Sequence, residues 1–209
     1  MFLFLFSLSV ISAADEMICA DVCGTSYCGI LTLERGEGTK APYQHPTPVV
    51  HGLWPQNSPY GDSRCYGADP KAKVFNLACY TDASFAQHEW SKHGYCAAKT
   101  PDDYLKETCA LSVAPLTLMA ASRKAGKKLP DVSKDLTAAG YTVWATNAYT
   151  DEVQLVTCAG ADVVWSLKKS SALMLHATRS AASVHKIADE LHKIALNMDG
   201  GGAFSVAAA

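Results

Sequence analysis

Charge is scarce in this sequence. Asp, Glu, Lys and Arg make up 18% of residues and the formal net charge is −2. The chain therefore lacks the global positive field of a protein that coats or wraps a polyanion. A local site, where a few cations meet a phosphate, stays open. No internal repeat and no long low-complexity linker divides the 209 residues, which leaves one ordinary domain with a core of its own. The apolar stretch MFLFLFSLSVISAA is too short to cross a bilayer, and it ends in small residues before Asp15. It reads as a signal peptide over 1–14, cut near Ala13 or Ala14, whose only positive feature is the start amine. No membrane anchor is then expected after its removal.

Eight cysteines follow: Cys19, Cys23, Cys28, Cys65, Cys79, Cys96, Cys109 and Cys158. The first three lack the paired CxxC spacing of a structural zinc site. An even count in an exported chain points instead to disulfides, with 105 possible connectivities for eight cysteines.

The pattern predicts an α+β domain with a central antiparallel sheet flanked by helices and stapled by disulfides. MICADV reads as a first strand, and GILTLE alternates as a second. Residues 36–48 are rich in Gly, Pro and Thr and predict a loop. PTPVV then delivers His51 at the end of a short strand, and NSPYGDSRCYGADP is another loop. SFAQHEWSKHGYC predicts a helix capped by Ser84 and ended by Gly94. PDDYLKETCALSV predicts a further helix, broken at Pro115. YTVWA, DEVQLVTC and ADVVWSL read as strands, the last two as a hairpin. From Ser183, Val184, Ile187, Leu191 and Ile194 form one stripe of an amphipathic helix, and 200–209 is a loose tail.

Two short stretches carry the chemistry: HGLWPQ at 51–56 and HEWSKHG at 88–94. On a helix, His88 and Lys92 are i,i+4 neighbours, as are Glu89 and His93. All four then cluster on one side, with Glu89 raising the pKa of His93 and Lys92 adding a positive field. Two histidines flanking a phosphate form a base–acid pair, and a lysine and a third histidine balance the charge that builds on the phosphorane. RNA brings its own nucleophile, the 2′-OH. Trp54 and nearby tyrosines offer faces for an unpaired base. A zinc hydrolase is the competing reading, but HEWSKH is one residue longer than HExxH spacing and sets its histidines about 140° apart on a helix. Taken singly, each histidine or tryptophan here is more often structural or simply exposed.

His51-Gly52-Leu53-Trp54-Pro55 and His88-Glu89-Trp90-Ser91-Lys92-His93-Gly94 closely resemble the two active-site segments of the ribonuclease T-two family: secreted or vacuolar, disulfide-bonded α+β enzymes. The resemblance covers Tyr27 to Leu105. It implies that His93 is the base toward the 2′-OH and that His51 protonates the 5′-oxygen. His88, Glu89 and Lys92 would bind the phosphate. Trp54, Gln56 and Tyr60 would meet the bases. Ser26-Tyr27-Cys28 matches the family, but the tryptophan that usually precedes it is missing, and the helix bearing His185 and His192 has no counterpart. Cys96, just after the active-site helix, is expected to bridge to Cys65 or Cys79. The implied protein is an endoribonuclease acting on single-stranded RNA, spanning 15–199, secreted or in a lysosomal or vacuolar lumen. It needs no metal or organic cofactor and no obligate protein partner. The rival is a secreted binding protein on the same scaffold that does not cut.

Overall fold

The computed structural model describes residues 16–170. The leader, the helix expected from Ser183 and the tail 200–209 lie outside them. In chain order the elements are helix α1 (Cys19–Cys23), strands β1 (Tyr27–Glu34) and β2 (Val49–Pro55), and helix α2 (Ala83–Glu89). A π-helical turn (Trp90–Gly94) runs on into α3 (Tyr95–Ala97). Helices α4 (Pro101–Lys124) and α5 (Leu129–Ala138) and strands β3 (Val143–Asn147), β4 (Glu152–Ala159) and β5 (Trp165–Leu167) complete them. All fall within one compact unit, Met1–Lys168; a second unit, Lys169–Ala209, lies almost wholly outside the described residues.

The sheet is antiparallel throughout, in the order β2-β1-β4-β3, with β5 also pairing β4. Alternation along the strands divides its side chains between two faces. Leu31, Leu33, Leu53, Val153 and Leu155 pack with Trp90, Tyr104, Leu105, Met119, Val132 and Leu136 of the helical layer. Ile30 and Val156 face the other way, onto Met17, Cys19 and Cys28. The same alternation carries Thr32 and then Glu34 onto this second face.

Four disulfides join Cys19–Cys28, Cys23–Cys158, Cys65–Cys96 and Cys79–Cys109. The first two explain why MICADV is not a strand. Cysteines four apart share one face of a helix, so α1 presents Cys19 to β1 and Cys23 to β4, and Gly24 closes it in the left-handed conformation with φ 69°. Helix α2 is capped by Asp82 rather than Ser84; its Oδ1 accepts from Ser84 N at 2.7 Å and Phe85 N at 3.0 Å. Helix α4 opens with Thr100 accepting from Asp103 N at 3.1 Å and Pro101 in the first turn. It does not break at Pro115. The proline removes one ladder bond, and burial of Tyr104, Leu105, Met119 and Pro115 itself offsets the loss. Helix α5, absent from the sequence expectations, buries Leu129, Val132 and Leu136. No helix among the described residues is long and apolar enough to cross a membrane.

Candidate active site

Strand β2 carries His51 at its third residue, not at its end. Val50 pairs with Leu33 and Gly52 with Thr32, so His51 is the extra residue of a β-bulge. A bulge re-aims one side chain out of the regular alternation. Here the ring is aimed at the end of the second face, where β1 and β4 place Glu34 directly opposite Glu152. Both carboxylates are buried, and both put an oxygen 2.8 Å from His51 Nδ1. Nδ1 hydrogen-bonds Glu152 Oε1, with Glu34 Oε1 at equal distance. Glu34 also meets His45 Nε2 at 2.6 Å through its other oxygen. Burial alone would drive the His51 ring neutral. The hydrogen bonds to Glu152 and Glu34 and the charge of Glu89 prevail, and its pKa rises from 6.5 to about 10.

The second stretch reaches β2 through Glu89, which is fully buried at 0% exposure. Its Oε2 accepts from Trp54 Nε1 at 2.9 Å, and its Oε1 lies 3.6 Å from His51 Nε2 without a hydrogen-bond partner. Burial raises this carboxyl from 4.5 to about 7, against the opposing pull of the His51 charge and the Trp54 N–H. The carboxylate packs so closely over β2 that a Cβ on Gly52 would collide with it. Gly94 has a matching reason: a Cβ there would come within 2.7 Å of the Trp90 and Tyr104 rings. The glycines of both motifs thus mark close approach, the first between the motifs themselves.

The helix through HEWSKHG widens into the π turn at Trp90, and such turns are frequent at functional sites. His93 emerges from it stacked on Trp54, ring centres 5.0 Å apart and 26° between planes. Trp54 meets His51 on another side, edge-on, at 4.9 Å. Burial first, then the charges of Lys92, His88 and His51, lower the His93 pKa from 6.5 to about 4. This corrects the expectation that Glu89 holds and raises His93. The Glu89 carboxylate is turned to Trp54 and His51 instead, and the ring whose charge it favours is on strand β2.

The remaining candidates divide. His88 and Lys92 are exposed while Glu89 is buried, so the four residues do not share one face. His88, His51, His45, Glu34, Tyr80 and Phe85 line a cleft of about 820 Å³. Gln56 is buried, and its amide donates to the Trp54 carbonyl at 3.2 Å. Tyr60 is 69% exposed in the loop after β2, and no ring contact described for it joins the histidines. Phenols hold the site strand: Tyr80 donates to the His51 carbonyl at 2.9 Å, and the Tyr104 hydroxyl bonds both Leu53 N and Leu53 O, at 3.2 and 3.1 Å.

Glu34, His51 and Glu152 bring three potential metal-ligand atoms within 4.8 Å of one another. His51 Nδ1 already stands 2.8 Å from both carboxylates. A second such group, Cys19, Cys28 and Asp62, has both its sulfurs in a disulfide. Glu34, Glu152 and His45 were not among the sequence-derived site residues. Nothing local marks them, because strand register alone puts the two glutamates side by side. Comparison with known protein families, with curated proteins and with solved structures finds no match for the chain.

Proposed function

We propose that this protein is an endoribonuclease that cleaves single-stranded RNA by transphosphorylation, with His93 as base and His51 as acid. The observation that carries the reading is a pair of histidines packed on one tryptophan and held in opposite protonation states. His93 is neutral above about 4 and His51 charged below about 10. A base–acid pair needs that asymmetry at the start of turnover.

In the first step His93 takes the proton of the 2′-OH, and the 2′-oxygen bonds to phosphorus. The bond from phosphorus to the 5′-oxygen breaks, and His51 gives that oxygen its proton. The products are a 2′,3′-cyclic phosphate and a free 5′-hydroxyl. Slower hydrolysis reverses the roles, with His51 activating water and His93 protonating the 2′-oxygen. Lys92 and His88 are exposed beside His93, and in this reading they would balance the charge that builds on the phosphorane. The four disulfides favour an oxidising compartment, in keeping with a secreted protein or one in a lysosomal or vacuolar lumen.

One feature favours the rival, a binding protein that does not cut: three buried carboxylates around His51 oppose an incoming phosphate. The test is cleavage of a single-stranded RNA in EDTA, with end analysis for the cyclic phosphate. Wild type is expected to cut. His51→Ala and His93→Ala should each fall by about 10²–10⁴-fold while remaining folded. Binding without cleavage in wild type, or near-normal turnover in either variant, refutes the assignment.

A further inference from the structure

Glu34 and Glu152 lie directly opposite each other across the β1–β4 ladder, and both are buried. Like charges facing across a sheet are destabilising, and buried carboxylates need partners. The ion pairs described for these two are to histidines alone, His45 and His51. A sheet that needed stability alone would be served by apolar residues at both positions. Local violations of this kind concentrate where a side chain must be held for function.

We propose that Glu34 and Glu152 are positioning residues for the acid, a two-carboxylate clasp that fixes the His51 ring through Nδ1 and leaves Nε2 to protonate the leaving oxygen. The inference rests on the ribonuclease reading above and extends it to two residues that never touch substrate. Three observations support it. Both oxygens stand 2.8 Å from one nitrogen, so the ring is gripped from two strands at once. The bulge takes His51 out of register just where the clasp lies, and Tyr80 anchors the backbone of the same residue at 2.9 Å. With Nδ1 occupied, the tautomer and ring angle are set, as a carboxylate does for a catalytic histidine elsewhere.

The charged or titratable groups around His51 come from every element packed near it. They are Glu34 from β1, Glu152 from β4, Glu89 from the end of α2, His93 from the π turn and Tyr80 from the loop before α2, with His45, bound to Glu34, and His88 lining the same cleft. Removing one carboxylate of the clasp leaves the other in place, so a single change should weaken the grip and a double change should release it.

The experiment compares wild type with the isosteric single variants Glu34→Gln and Glu152→Gln, which keep an oxygen able to accept from Nδ1, and with the double variant Glu34→Leu/Glu152→Leu, which keeps none. The readouts are pH–rate profiles on single-stranded RNA and nitrogen NMR of histidine-labelled protein without RNA. In the double variant kcat should fall by about 10²–10⁴-fold, the range for losing a general acid, with KM little changed. Each single variant should lose less, and in every variant the alkaline limb should move to lower pH. The His51 Nδ1–H signal is expected to be sharp and slowly exchanging in wild type and to vanish in the double variant. A merely structural role would lower the melting temperature and leave the limb in place, which overturns the proposal. A wild type that cuts no RNA refutes the ribonuclease reading. The NMR arm then decides the clasp: a protonated, oriented ring supports it, and a neutral or mobile one overturns it.

Discussion

Glu89→Gln separates the two histidines by which limb of the pH profile it moves. The substitution keeps the shape of the side chain and an oxygen able to accept from Trp54 Nε1, so the packing of Trp54 is retained. What disappears is a negative charge 3.6 Å from His51 Nε2. At an effective dielectric constant of about 20, unit charges at that distance interact by roughly 4–5 kcal/mol, or about 3 pKa units. Glu34 and Glu152 remain, and the cleft admits water, so a fall of roughly 1–3 units is the working figure. The Glu89 carboxyl, with a pKa of about 7, is ionised across the alkaline range where His51 titrates near about 10. Its loss is therefore felt where that limb is measured. The sign follows: removing an anion disfavours the imidazolium, so the alkaline limb of kcat/KM moves to lower pH. The acid limb, set by His93 near about 4, has its causes in burial, Lys92, His88 and His51 and should stay. Initial rates on a short single-stranded RNA, from acid to alkaline pH at constant ionic strength, provide the assay. An unmoved alkaline limb refutes the Glu89–His51 coupling. A shift confined to the acid limb would return Glu89 to His93.

Gly52→Ala should drive the Glu89 carboxylate off Trp54, since a Cβ there has no room. Overpacking of this kind costs about 1–3 kcal/mol, to be read by thermal melting, and activity should fall with it; an unchanged melting temperature and rate would contradict the packing. Replacing Cys65 and Cys96 together by Ala opens a loop spanning 31 residues and should cost about 2–4 kcal/mol of stability. The bridge ties α3, directly after the π turn that carries His93, to the loop after β2, so under the proposed function the RNA-cleavage rate should fall as well. Denaturant midpoints within error of wild type would dispose of that role.

What could be read from the sequence was what lies close together in it. The alternation of GILTLE, the hairpin from DEVQLVTC into ADVVWSL and the start of α4 at PDDYLKETCALSV all rest on contacts a few residues apart. The two motif stretches were legible for the same reason, each complete within seven residues. Errors arose where a distant partner decided the outcome. Cys19 and Cys23 make a helix because their disulfides need one face of it. Pro115 is tolerated because the helix around it is buried in a core that other segments supply. Helix α5 had a usable signal, Leu129, Val132 and Leu136 at helical spacing. Cys96 had two candidate partners, and the fold joins it to Cys65. For Glu34 and Glu152 no local signal exists, because pairing across β1 and β4 creates their proximity. The same holds for the exchange of Glu89 from His93 to His51, which depends on β2 lying against the π turn.

Strand β2 is one edge of the sheet, and an edge is where a second chain can add a strand of its own. At His51 and Leu53 side chains engage backbone groups of this strand. Tyr80 takes the carbonyl of His51, and the Tyr104 hydroxyl takes both the N–H and the carbonyl of Leu53. Two phenols thus stand in for a neighbouring strand, and they do so at the residues that carry the site. A strand added there would have to displace both phenols, so the stretch that carries His51 resists edge-to-edge pairing while the cleft beside it stays open.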